Sequence, residues 1–85
     1  MSKEIKVLSK QLRNIAVDID GILTIETEGH DYESRTPNLE NIKKLECLYY
    51  TSNVIITLYT ARFLEDKQVT VDWLHRYGVK YHSLS

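Results

Sequence analysis

The chain has 85 residues, of which 42% are hydrophobic and 27% charged, and a net charge of −1. That length allows one domain with a thin core, and the composition excludes a disordered tail or a fibre. The near-zero charge excludes recruitment of nucleic acid or an anionic membrane by bulk attraction, so an anionic ligand has to be held locally.

Residues 1–13 are predicted to form a short amphipathic helix or arm, because Ile5, Leu8 and Leu12 share one helical stripe. The stretch has no continuous apolar run, so it is read as neither signal peptide nor membrane span. Cys47 stands alone, which excludes an internal disulfide and suits a reducing compartment; a cytoplasmic protein is expected. Cys47 itself is expected to be a buried helix residue.

Residues 14–85 read as one α/β core. Asn14 to Ile19, NIAVDI, is a short apolar, β-branched run, as expected of a strand buried on both faces of a parallel sheet. Thr24 to Pro37 is polar around Gly29 and predicts a loop or small hairpin projecting from the body, on which His30 and Asp31 either touch substrate or stand in solvent, the solvated loop being preferred. A helix is expected to start at Pro37, capped by Thr36, with Glu40 in its first turn and Leu39, Ile42, Leu45 and Leu48 on its apolar face, ending near Tyr50 to Ser52. Asn53 to Tyr59, NVIITLY, predicts a second buried strand. A second helix from about Glu65 to Tyr77 would bury Val69, Trp73, Leu74 and Tyr77 and stop at Gly78, and Val79 to His82 would form a third strand. Alternation of strand and helix specifies a three-layer Rossmann-like parallel sheet of βαβαβ order, with ligands beyond the carboxyl ends of the strands.

Those ends carry Asp18, Asp20 and Gly21 after the first strand and Thr60, Ala61 and Arg62 after the second. Two carboxylates one residue apart at a strand end need a compensating charge. Mg²⁺ suits hard oxygen ligands and takes one or two carboxylates together with phosphate oxygens, so Asp18 and Asp20 are the expected metal ligands. Asp18 would attack phosphorus, and Asp20 would donate a proton to the leaving oxygen and later take one from water. Gly21 lets the chain turn sharply and turn backbone N–H groups towards phosphate. The Thr60 hydroxyl would donate to one phosphoryl oxygen, and Arg62 would clamp a second.

The segment IAVDIDGIL, Ile15 to Leu23, resembles the first motif of haloacid dehalogenase superfamily phosphatases, and LYTAR, Leu58 to Arg62, resembles the second. DYESRTP and WLHRYGVKYHSLS are similar to a subgroup without a large cap domain that includes capsule and polysaccharide biosynthesis phosphatases. The likeness runs from about residue 14 to 85. It implies a partial core of that fold, with Asp18 as nucleophile and metal ligand, Asp20 as general acid and base that also lends its carbonyl to Mg²⁺, and Thr60 as phosphoryl ligand. Two departures stand out. Ile22 occupies the position of the family's usual threonine, and the family's third and fourth motifs, a lysine and an acidic pair, would lie beyond residue 85.

The expected function is Mg²⁺-dependent hydrolysis of a small phosphorylated metabolite such as a sugar phosphate, without nucleic acid or membrane partners. Two other readings are a weak or inactive module that binds phosphate or a protein, and a chain that borrows strands from another subunit. An exposed edge beside the first strand would favour self-association.

Overall fold

Val54, Ile56 and Leu58 alternate along one strand, so their side chains point to the same face, and each is almost completely buried. The computed structural model describes residues 12–25 and 31–85. The segment predicted as an N-terminal helix or arm lies largely outside the described residues, as does His30. The described elements run in the order β1 (Arg13–Asp18), β2 (Thr24–Ile25), β3 (Thr36–Pro37), α1 (Leu39–Tyr49), β4 (Val54–Tyr59), α2 (Lys67–Arg76) and β5 (Ser83–Leu84). β1, β4 and β5 form a parallel sheet in that spatial order, and β2 pairs antiparallel with β3 as a small hairpin. The α/β class is therefore as expected, with β4 in the centre of the sheet.

Both helices pack on one face. Ile42 and Leu45 of α1 and Trp73 and Leu74 of α2 join Val54, Ile56 and Leu58 in a single core. Burying each such large side chain contributes roughly 1.5–3 kcal/mol. Parallel pairing sets Ile15 beside Ile56 and Val17 beside Leu58, so these two residues of β1 face the same core and are partly buried. Asn14, Ala16 and Asp18 face the other way and are exposed. The expectation that β1 is buried on both faces is corrected accordingly: the described residues form a sheet and one helix layer, and no third layer. Among them β1 pairs along one edge only.

Three boundaries differ from those the sequence predicts. α1 begins at Leu39, because Asn38 is the cap: its Oδ1 accepts from the N–H of Asn41 at 3.1 Å. Thr36 and Pro37 instead extend the hairpin, and the Asn38 N–H donates to the Leu23 carbonyl at 2.8 Å. Cys47 is exposed, lying two residues past the buried Leu45 and so on the opposite side of the helix. Leu39 and Leu48, at the two ends of the predicted apolar face, are also exposed. α2 follows a tight turn over Leu64–Asp66 and closes at Gly78, whose φ of 65° is left-handed and costs glycine little.

The third strand starts at Ser83 rather than Val79 because a side chain takes the place of backbone in the ladder. The His82 N–H donates to the Ile56 carbonyl at 2.9 Å, while the Ile56 N–H donates to Nδ1 of the His82 ring at 3.0 Å. The same ring stacks on Tyr49 with centroids 4.7 Å apart, and so ties β5 to α1. Val79 is buried by packing instead of pairing. His82→Phe keeps an aromatic ring against Tyr49 but leaves the Ile56 N–H without an acceptor. It should cost about 1–2 kcal/mol in urea denaturation, and an unchanged midpoint would remove His82 from the ladder.

Candidate functional site

Asp18 is the last residue of β1 and sits in register with Tyr59, the last residue of β4. Beyond it the chain makes one wide turn over Ile19–Leu23, closed by the Thr24 N–H on the Ile19 carbonyl. Ile19 and Leu23 are sunk in the core. The residues between them, Asp20 and Gly21, are thereby held at the mouth of the sheet. Gly21 has φ 89° and ψ −16°, a left-handed conformation that a side chain would strain. Its N–H donates to the hydroxyl of the buried Thr24 at 3.1 Å. The expectation that this N–H faces phosphate is corrected: it is already used. Thr24 supplies a hydroxyl to the aspartate loop that Ile22 does not, and Ile22 itself is exposed.

Arg62 is the hub of the site. Its side chain is only 2% exposed. Nε donates to Oδ2 of Asp20 at 3.0 Å, Nη2 to Oδ1 of the same carboxylate at 2.6 Å, and Nη1 to the hydroxyl of Thr70 at 2.9 Å. The Tyr32 ring lies 3.9 Å from the guanidinium carbon, a cation–π distance. Thr70, buried on α2, passes its own proton to the Asp66 carbonyl at 2.8 Å. Every side-chain nitrogen of Arg62 thus has a partner. The planar fork matches the carboxylate as a lysine would not.

Thr60 and Ala61 link β4 to this arginine. The Thr60 hydroxyl oxygen accepts from the Arg62 N–H at 3.0 Å, which fixes the turn and leaves the hydroxyl proton available to a ligand. Ala61 is exposed and offers no side-chain donor. A cleft of about 130 Å³ opens here, bordered by Thr60, Arg62, Phe63, Leu64 and Lys67, large enough for a small anion with its waters.

The six residues singled out in the sequence therefore lie at neighbouring strand ends, but they are not equivalent. Asp18 is exposed and has no hydrogen-bond or ion-pair partner among the described residues. Asp20 has both oxygens engaged by Arg62, and Oδ1 also receives Nη1 of Arg35 at 3.4 Å. One carboxylate, Asp20, thus stands between two guanidiniums. No group of three or more His, Cys, Asp or Glu side chains able to hold a metal occurs among the described residues.

Tyr32, Arg35 and Thr70 were not singled out in the sequence. Segment 31–35, read there as a projecting loop, packs onto α2 through the Trp73 indole N–H, which donates to the Arg35 carbonyl at 2.9 Å. A tyrosine and an arginine three residues apart in DYESRTP were a visible signal, but their partners are far away in the chain.

No known family profile matches the chain, and no curated protein resembles it significantly. Two solved structures share its fold. A structural-genomics target from Vibrio cholerae is 25% identical, with TM-score 0.70, over 86% of this chain and 68% of the other. A chain of the Pnkp1/Rnl/Hen1 complex is 18% identical, with TM-score 0.73, over 89% of this chain. This chain spans 28% of that longer one. No helix among the described residues is long and apolar enough to cross a membrane.

Removing Asp20 leaves the nearly buried Arg62 without a counter-charge. Asp20→Ala should destabilise the fold by about 3 kcal/mol, and Asp20→Ala with Arg62→Ala by less than the sum of the two single changes. Guanidinium denaturation of the three variants reads this directly; additive losses would mean that the two residues are not coupled.

Proposed function

We propose that the chain is the catalytic part of a phosphomonoester hydrolase of the haloacid dehalogenase type, with Asp18 as the nucleophile and a small phosphorylated metabolite, such as a sugar phosphate or a capsule precursor, as substrate. The observation that supports this most is the unequal treatment of the two aspartates. Asp18 is unpaired among the described residues and exposed at the carboxyl end of a parallel strand, where such folds bind ligands, whereas Asp20 is gripped two positions on. Two carboxylates in contrasting environments suit two chemical roles.

In this reading an Asp18 carboxylate oxygen bonds to phosphorus as the bond from phosphorus to the leaving oxygen breaks. The electron pair departs with that oxygen, which takes up a proton. Water then attacks phosphorus, the bond to Asp18 breaks, and inorganic phosphate leaves. Asp20 stands next to both proton transfers, but Arg62 occupies its two oxygens. Once one arm of that fork opens, Asp20 takes a proton from solvent, gives it to the leaving oxygen and takes one back from the attacking water. Thr60 offers its hydroxyl proton to a phosphoryl oxygen.

Mg²⁺, when bound, would supply positive charge against the phosphate, held by the Asp18 carboxylate and the Asp20 carbonyl. The residues fit that ion through Asp18, whose oxygens have no other partner among the described residues, with substrate and water completing its shell.

The closed fork on Asp20 favours a second reading, a module that binds phosphate without turning it over. One assay separates the two. With p-nitrophenyl phosphate and Mg²⁺ the wild type should hydrolyse the ester, and Asp18→Asn should lower kcat by at least about a hundredfold. Equal rates would remove Asp18 as nucleophile, and phosphate binding without hydrolysis in the wild type would select the second reading.

A further inference from the structure

We infer that Arg35, and not Arg62, is the guanidinium that receives the phosphoryl oxygens, a step that rests on the phosphate site proposed above. Arg62 is the arginine that sequence spacing selects for this task, yet its three side-chain nitrogens are committed to Asp20 and Thr70 and its face to Tyr32. Moving it to a ligand would break a bidentate ion pair inside a nearly closed environment.

Arg35 stands in the opposite condition. Its Nε is buried and has no hydrogen-bond partner among the described residues. Its one carboxylate contact among the described residues, Nη1 to Asp20 Oδ1, is 3.4 Å long and goes to an oxygen already served by Arg62 at 2.6 Å. A buried donor left without an acceptor is costly and calls for an explanation. A ligand oxygen is one that the local charge also favours. Arg35, Arg62 and Asp20 together carry one positive charge in excess, and the Arg35 side chain is only 18% exposed.

The backbone of Arg35 is fixed on both sides, while its head makes only a long polar contact among the described residues. Trp73 holds its carbonyl, and Thr36, the next residue, pairs with Ile25 in the hairpin. Tyr32 lies 5.3 Å from the Arg35 guanidinium and 3.9 Å from that of Arg62, so one ring flanks both. An arriving oxyanion exchanges the long contact to Asp20 for short charge-assisted bonds, with little rearrangement of the chain. Segment 31–35 thereby serves as a binding strap.

The test is titration of inorganic phosphate into the full chain, with and without Mg²⁺, for the wild type, Arg35→Ala and Arg35→Lys, with circular dichroism confirming that each is folded. Arg35→Ala should weaken phosphate binding tenfold to a hundredfold, roughly the loss of one charge-assisted pair, and Arg35→Lys should restore only part of it, since an ammonium lacks the fork. Unchanged phosphate affinity in folded Arg35→Ala overturns the assignment, and so does a wild type that binds no phosphate. Steady-state assay adds a separate reading: Arg35→Ala should raise KM for p-nitrophenyl phosphate more than it lowers kcat. If Asp18→Asn retains full turnover, the nucleophile is wrong, while the titration still judges Arg35.

Discussion

The contact between Arg62 and Asp20 ties together parts of the chain that are far apart in sequence. It joins the turn after β1 to the segment after β4, and through Thr70 and Tyr32 it reaches α2 and the strap at residues 31–35. A guanidinium this deeply buried is tolerated only because its donors and its charge are answered. The positions of Asp18 and Thr60 follow from the same network. Asp18 precedes the turn that the contact anchors, and the Thr60 hydroxyl is oriented by the Arg62 N–H.

This latch also explains why the mouth of so thin a core keeps its shape. The sheet has three strands and helices on one face among the described residues, so the strand ends have little apolar packing above them. Ile19 and Leu23 fasten the turn from below, and the Arg62 fork fastens it from above. The two attachments differ in kind. Apolar burial is indifferent to direction, whereas a bidentate pair fixes the angle of the carboxylate as well as its position.

Much of the fold was legible from local pattern. NVIITLY announced the central strand, Gly78 the end of α2, and the run to Asp18 the first strand, because a strand's apolar alternation and a left-handed cap are properties of neighbouring residues. What escaped depended on distant partners. Pro37 looks like a helix opener until its neighbour Thr36 finds Ile25, and His82 looks like a strand residue until its ring answers the Ile56 N–H. Asp18, Asp20, Thr60 and Arg62 gather at neighbouring strand ends, as their places along the chain suggest. Their division of labour was not legible, since it is set by Arg62 reaching 42 positions back to Asp20.

That division has a physical logic of its own. An arginine that both holds a loop in place and grips a ligand would loosen the loop each time the ligand arrived, because the same donors cannot serve two acceptors at full strength. With two arginines the tasks separate. Arg62, saturated and enclosed, preserves the geometry, while Arg35, with a buried donor to spare and only a long contact to give up, is free to respond. Tyr32 flanks both heads, so that movement of Arg35 towards an anion leaves Arg62 still covered on that side.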